Sequence, residues 1–251
     1  MARDIVYLLD NSDNINPALK SLKNIVYVPY CENKGIAFAL EDALSRSIRD
    51  NCDFLLTLDQ DSVYQLDQHN SIVKRLQKID FRKDAIFALA TLDEFQKNKN
   101  RDDEHVTNAI TSGNFLNISC LRNNGIHFPV ELFIDYVDFE FDRRILEKNL
   151  NIIQSYAFFI EHKIGQPIKK NILGIKFTCM NHSPIRYYYR YRNAYYLKKK
   201  YPKFYKKLAL KTLFIDKIKM NLFDDNKKEK RLMIKTAIRD AKAGKLGTFN
   251  K

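Results

Sequence analysis

The sequence predicts an α/β fold, in which helices flank a β-sheet. Three observations support this prediction. Short apolar runs bounded by turn-forming residues recur between residues 5 and 160, and such runs are typical of buried strands. Between two of these runs, residues 36–48 place apolar side chains at helical spacing. Residues 186–251 differ from the rest, because they carry 21 Lys/Arg against 5 Asp/Glu.

Composition restricts the class of protein. A chain of 251 residues with 45% hydrophobic residues is long enough for one large domain with a substantial core. We therefore predict an α/β domain at residues 1–182 and a basic helical extension at 183–251. The four cysteines stand far apart, which favours reduced thiols and a cytoplasmic location over disulfides or a zinc site. No signal peptide and no membrane-spanning run is expected.

The strand predicted for residues 54–58 ends in two carboxylates, Asp59 and Asp61. Residues i and i+2 point the same way on an extended backbone, so both side chains can reach one point beyond the strand. Two oxygen ligands there suit Mg²⁺ or Mn²⁺, with water and phosphate completing the coordination. The alternative is a solvated turn after a strand, because Asp-x-Asp is a common sequence.

Two further strands precede the central one, at residues 5–9 and 25–28. The first ends at Asp10, whose carboxylate can accept hydrogen bonds from a nucleotide or can close an Asx-turn. The second leads to Asn33, which is a predicted N-cap of the helix at 36–48. Gly35 would allow a phosphate to approach the N-terminus of that helix.

After the central strand, the sequence predicts a helix at 66–79, a buried strand at 85–90 and a polar surface loop at 92–108. Residues 109–118 then form an apolar stretch that Ser112 and Gly113 interrupt. A glycine within a strand pattern indicates that another part of the chain, or a ligand, comes close.

Three carboxylates, Asp135, Asp138 and Asp142, recur at helical spacing and would share one helix face. This face is either solvated, neutralised by neighbouring arginines, or directed into a site, where a carboxylate can act as a general base. The strand predicted for 152–160 is the last one expected. His162 follows it and could join two carboxylates as a metal ligand, or be an ordinary surface histidine.

The basic extension is rich in tyrosine and arginine at 186–197 and mixes apolar residues with lysines at 204–219. Basic helices with an aromatic and apolar face bind anionic membrane surfaces. The other interpretation is a helix that packs on the body with its lysines in solvent, and both can hold at once. Nucleic-acid binding is not expected, since the extension has no signature of a nucleic-acid-binding fold.

Several short motifs follow one another in a specific order. They are Leu9-Asp10-Asn11-Ser12, Asn33-Lys34-Gly35-Ile36-Ala37, Leu58-Asp59-Gln60-Asp61-Ser62, Ile110-Thr111-Ser112-Gly113, Leu132-Phe133-Ile134-Asp135-Tyr136-Val137-Asp138-Phe139-Glu140 and His162-Lys163-Ile164-Gly165. In this order they resemble the family-2 glycosyltransferases, and most of all their bacterial rhamnosyltransferase branch. The resemblance covers residues 5–201.

This resemblance implies a GT-A fold with a mixed, mostly parallel sheet and an inverting, metal-dependent sugar transfer. The implied general base is Asp135 or Asp138, with Asp135 favoured. The implied ligands of a Mg²⁺ or Mn²⁺ cofactor are Asp59, Asp61 and His162. The residues implied for donor binding are Asp10, Asn33, Gly35, Asp59, Ser112 and Gly113.

The resemblance also implies substrates and a place of action. The donor would be a nucleotide sugar such as dTDP-rhamnose. The acceptor would be a saccharide or a lipid-linked sugar in polysaccharide or cell-wall assembly, reached from the inner face of a bacterial membrane, with residues 186–219 as the candidate contact.

Two features depart from the family. The sequence begins almost at the strand that ends in Asp10, so a preceding βα unit is expected to be absent, and Tyr136 follows Asp135 where the family has a Glu-Asp pair. The alternative is therefore a catalytically impaired subunit that serves as a scaffold in polysaccharide assembly.

Overall fold

The computed structural model describes residues 4–98, 101–162, 168–172, 175–179 and 181–249. Residues 163–165 of the last motif lie outside this described part. The strands described are β1 (Val6–Asp10), β2 (Ile25–Pro29), β3 (Phe54–Thr57), β4 (Ser62–Tyr64), β5 (Asp84–Thr91), β6 (Glu104–His105), β7 (Asn114–Asn117), β8 (Asn151–His162), β9 (Ile168–Ile172) and β10 (Ile175–Cys179).

The helices described alternate with these strands and then continue alone to the C-terminus. They are α1 (Pro17–Lys20), α2 (Ile36–Arg49), α3 (His69–Leu76), α4 (Leu92–Lys97), α5 (Ile118–Asn123), α6 (Val137–Glu147), α7 (Pro184–Lys200), α8 (Pro202–Leu210), α9 (Lys217–Phe223) and α10 (Lys227–Lys242). A π-helical stretch at Lys211–Asp216 joins α8 to α9.

The main sheet has six strands in the order β3-β7-β5-β8-β4, with β6 beside β8. Strand β7 is antiparallel to both β3 and β5, and β5 is parallel to β8, so β3, β5 and β8 run in one direction. Helices cover this sheet, which confirms the predicted α/β class. Strands β1 and β2 pair in parallel as a separate small sheet, and among the described residues no ladder joins them to β3.

Strand β5 explains how the core is layered. Its side chains are buried on both faces, as expected for a central strand. Ile86 packs in a cluster with residues of α2, α5 and α6, whereas Phe87 packs in a second cluster with Ile72 and Leu76 of α3. The sheet therefore lies between two layers of helices.

The aromatic part of the basic extension is largely internal. Helix α7 packs against α10 and buries four tyrosines, Tyr187, Tyr188, Tyr189 and Tyr191. The packing on the body that the sequence offers for residues 186–200 is observed, since Phe133 stacks on Tyr189. No helix in the described part of the chain is long and apolar enough to cross a bilayer.

The structure corrects three sequence-based expectations. The polar segment after β5 contains α4, whose first turn is closed by a capping box between Thr91 and Glu94. The acidic helix begins at Val137, so Asp135 lies before it in a left-handed turn. Strand β8 is not the last, since β9 and β10 follow as an antiparallel pair.

Candidate functional site

Asp59, Asp61 and His162 lie together at the end of the main sheet where β3 and β8 finish. Asp59 follows β3, Asp61 immediately precedes β4, and His162 ends β8. Strand β4 pairs with β8 in a register that sets Ser62 opposite His162, and this pairing brings the imidazole to the two carboxylates. One ligand atom from each of the three residues lies within 4.8 Å of the others. The predicted cluster is therefore assembled by strand pairing across 100 residues of sequence.

The electrostatics of this cluster suit a bound cation. Burial raises the pKa of Asp59 and the Asp61 charge adds to the effect, while His162 partly offsets it. Among the described residues no hydrogen-bond donor reaches the Asp59 carboxylate. Two carboxylates and an imidazole match the ligand preference of Mn²⁺ and also suit Mg²⁺. The residues present thus fit a divalent metal ion.

A chain of hydroxyl groups supports the cluster from behind. Ser62 Oγ lies 2.7 Å from His162 Nδ1 and 2.7 Å from Ser112 Oγ, which in turn accepts a hydrogen bond from the Asp59 backbone N–H at 3.1 Å. Such partners orient metal-ligating histidines. The sequence predicts a role for Ser112 but none for Ser62. The role of Ser62 follows from its position opposite His162 in the β4–β8 register.

Asp138 stands in the first turn of α6 and has an altered acidity. Its pKa is raised to about 6, mainly by burial, and the charges of Asp135 and Asp59 raise it further, while the Phe139 backbone N–H lowers it. The Asp59 charge is the smallest of these causes, so the Asp138 carboxylate stands within electrostatic range of the metal cluster. Asp142, one turn later, is buried and accepts a hydrogen bond from the Ala109 backbone N–H, so it holds the loop before β7.

Asp135 is held differently. Both of its carboxylate oxygens receive hydrogen bonds from Arg186 in the first turn of α7, at 3.3 and 3.4 Å. Its backbone has a φ of +61°, a conformation that non-glycine residues rarely adopt. Of the two predicted base candidates, Asp135 is ion-paired, whereas Asp138 has no ion pair with any residue that the structure describes.

The residues predicted for donor binding at β1 and α2 also lie together, but their polar groups serve local structure. The Asp10 carboxylate accepts hydrogen bonds from the Ser12 backbone N–H at 2.9 Å and from Tyr27 OH at 2.6 Å, and these bonds lower its pKa. This is the Asx-turn that the sequence left open. Asn33 is not the N-cap of α2. Its side chain instead accepts from the backbone N–H of Gly35, and Gly35 is the N-cap.

The two predicted glycines are required by neighbouring protein atoms. A Cβ on Gly35 would lie 2.6 Å from the Phe133 carbonyl oxygen, and one on Gly113 would lie 2.9 Å from Ile160 Cδ1. Both glycines have positive φ, +83° and +88°. The close approach that the sequence indicated at these positions is therefore made by the protein itself.

Comparisons with known proteins show which sequences and folds this chain is similar to. No model of a known protein family matches the chain. The dTDP-rhamnosyl transferase RfbF of Shigella flexneri is 28% identical over 216 residues, which cover 78% of this chain and 71% of the relative. Residues 1–349 of S. aureus TarS superpose with a TM-score of 0.54 and 13% identity, over 94% of this chain and 71% of theirs.

In two further solved structures the solved chain is longer than this one. GalNAc-T7, solved with UDP, GalNAc and Mn²⁺, superposes with a TM-score of 0.53 and 11% identity over 96% of this chain and 51% of its own. TarS 1–349 with UDP gives a TM-score of 0.48 and 14% identity, over 95% of this chain and 62% of its own. The chain thus spans about half of the GalNAc-T7 structure.

The fold is that of the GT-A glycosyltransferases. In sequence, the chain is similar to the dTDP-rhamnosyl transferase RfbF.

Proposed function

We propose that the chain transfers a sugar from a nucleotide-diphosphate donor to an acceptor hydroxyl, with inversion at the anomeric carbon. The observation that carries this proposal is the meeting of Asp59, Asp61 and His162 where β3 and β8 end, with the buried Asp138 carboxylate within electrostatic range of Asp59. A single in-line displacement requires a metal site at the departing diphosphate and a carboxylate at the attacking hydroxyl.

A divalent cation would be held by Asp59, Asp61 and His162, and it would offset the charge that develops on the departing diphosphate. The protein's own residues keep this site in order. Ser62 orients the imidazole of His162, and Ser112 fixes the backbone at Asp59. Mn²⁺ or Mg²⁺ is proposed because the ligand set combines two carboxylates with one imidazole.

We assign the role of general base to Asp138 rather than to Asp135. A carboxylate with a pKa of about 6 is ionised at neutral pH and still accepts a proton more readily than an ordinary aspartate. Asp135 is engaged by Arg186, so its charge is already compensated. In this arrangement Asp138 takes the proton from the attacking hydroxyl.

The donor proposed is dTDP-rhamnose, on the strength of the activity named for RfbF. The acceptor proposed is a saccharide or a lipid-linked sugar of a cell-surface polysaccharide. The acceptor is proposed from the resemblance of the motifs to the rhamnosyltransferase branch.

The test compares Asp61→Ala with a control, Asp67→Ala, which removes an exposed carboxylate outside the cluster. We expect wild type and the control to turn over dTDP-rhamnose with Mn²⁺, and to melt at a higher temperature with dTDP and Mn²⁺ together. Asp61→Ala should lose both effects. Metal-dependent binding without turnover of any nucleotide sugar would favour the scaffold alternative, and an Asp61→Ala protein as active as wild type would remove the metal assignment.

We also propose peripheral attachment to an anionic membrane, through a narrower surface than the sequence indicated. Because the tyrosine-rich face of α7 is buried, the available surface is a stripe along the π-helical stretch and α9, formed by Phe214, Ile215, Ile218 and Leu222. Exposed lysines such as Lys211 and Lys217 flank it. Apolar side chains between lysines match an anionic lipid interface.

Vesicle flotation tests this surface. Wild type should float with vesicles that contain anionic phosphatidylglycerol, less so at high salt, and not with phosphatidylcholine alone. Replacing Ile218 and Leu222 by serine should reduce flotation, whereas Leu232→Ser, which alters an exposed leucine on α10, should not. Equal flotation of all variants would contradict the proposal.

A further inference from the structure

The loop that leads into α6 has an unusual backbone. Phe133 has φ +66° and ψ −64°, and the Ile134 N–H bonds to the Leu132 carbonyl at 2.8 Å, which together form a γ-turn of the rare, strained form. Asp135 and Tyr136 also have positive φ, +61° and +66°. Three left-handed residues within four, none of them glycine, persist only where surrounding contacts determine them.

Asn193 of α7 supplies the main contacts. The two N–H groups of its side-chain nitrogen are shared among three carbonyl oxygens of the loop, those of Leu132 at 2.9 Å, Ile134 at 2.7 Å and Asp135 at 2.9 Å. Asn193 is fully buried, so water does not replace these bonds. One amide thus holds the backbone on both sides of the left-handed turn.

Arg192 fixes the orientation of that amide and adds bonds of its own. Its Nε donates to Asn193 Oδ1 at 3.0 Å, which leaves the Asn193 nitrogen as the atom that faces the loop. Its Nη2 donates to the carbonyls of Glu131 at 3.3 Å and Leu132 at 3.0 Å.

The burial of Arg192 calls for an explanation. The guanidinium is fully buried, and within the described residues it forms no ion pair with a carboxylate. A buried charge satisfied by backbone carbonyls contributes little net stability compared with an apolar side chain. Its retention is explained if the loop must be held in one particular conformation.

The same loop also contacts the donor side of the site. The Phe133 carbonyl accepts a hydrogen bond from the Ala37 N–H at the start of α2, at 3.1 Å, and lies against Gly35. At its other end the loop sets the start of α6, and with it the position of Asp138.

We propose that Asn193, with its amide held by Arg192, is a positioning residue that fixes the 131–136 loop and thereby directs the Asp138 carboxylate at the acceptor hydroxyl. Asn193 contacts neither substrate nor metal in this role. The inference rests on the proposed transfer for its chemical consequence, and on the contacts above for its structural part.

The test uses Asn193→Asp, which keeps the acceptor for Arg192 and loses the donor to the loop. Its matched control is Asn117→Asp, since Asn117 is equally buried and its nitrogen donates to the carbonyls of Phe81 and Asp84, on a different part of the sheet. Asn193→Ser provides a second, smaller change should the aspartate fold poorly. Transfer kinetics, the pH profile and hydrogen exchange are measured for each.

For both Asn193 variants we expect kcat to fall at least tenfold, with donor KM within a factor of two and an altered acidic limb of the pH profile. Amide exchange in 131–138 should become faster, while exchange in β5 stays as in wild type. A merely structural role predicts instead that Asn117→Asp and Asn193→Asp lower kcat equally or not at all. That result, or unchanged exchange in 131–138, overturns the inference.

The experiment distinguishes a failure of this inference from a failure of the proposed function. If wild type itself transfers no sugar, the proposed function fails, and hydrogen exchange alone then decides whether Asn193 holds the loop.

Discussion

Replacing Asp138 by asparagine should make the protein more stable while it removes transfer. In the folded chain the pKa of Asp138 is about 6 against a reference value of 3.8. The folded state therefore binds the proton more tightly than the unfolded state, and stability contributed by the protonated form is lost as pH rises from about 4 to 6. At pH 8 the ionised carboxylate opposes folding.

The magnitude follows from the shift. Two pKa units correspond to about 3 kcal/mol at pH 8 and about half of that at pH 5. Asp138 retains some solvent exposure, so we expect a gain of about 1–3 kcal/mol for Asp138→Asn at pH 8. The asparagine oxygen can keep the hydrogen bond from the Phe139 N–H, so little is lost in exchange.

Urea unfolding at pH 5 and pH 8, in the presence of a chelator, measures this effect. With a slope of about 3 kcal/mol/M, the midpoint of Asp138→Asn should rise by up to about 1 M at pH 8 and by less at pH 5. Asp135→Asn serves as the control and should lose stability, because it breaks the contact with Arg186. A gain that is equal at both pH values, or a loss at pH 8, would refute the reasoning.

Three further predictions concern the parts around the site. Gly35→Ala should lower the free energy of unfolding by about 2–4 kcal/mol, because a strained φ and a backbone clash combine, whereas Gly125→Ala, with open space around it, should lose only about 1 kcal/mol in thermal melts. Lys230→Met should destabilise by about 3 kcal/mol in urea titrations, since it removes the cation 2.8 Å from buried Asp224. Ser62→Ala should weaken Mn²⁺ affinity by about tenfold in calorimetry, with the melting temperature of the metal-free protein nearly unchanged.

Much of the fold follows from local patterns. The apolar runs at β1, β2, β3 and β5, and the helical spacing in α2, depend on neighbouring residues alone, and the structure has these elements at the predicted positions. The segment with α4 was missed because its polar composition outweighed a capping box at Thr91. The sequence predicts no strand after β8. Strands β9 and β10 are therefore additions that the structure reveals.

The candidate site likewise has residues that local patterns predict and residues whose contribution depends on the fold. Asp59 and Asp61 belong to one motif and were predicted together. The contribution of His162 depends on the β4–β8 register, which no local pattern specifies. At Asp10 the local sequence favours the Asx-turn that is observed, whereas the packing of Phe133 against Gly35 depends on the fold.

Periodicity and composition within short windows are enough to predict the α/β class, the order of the motifs and the residue types available for catalysis. The folded chain is needed to distinguish the two candidate carboxylates, since burial raises the pKa of Asp138 whereas Asp135 is ion-paired with Arg186. The role of Asn193 likewise exists only in the folded chain, because its three hydrogen bonds join residues about 60 positions apart.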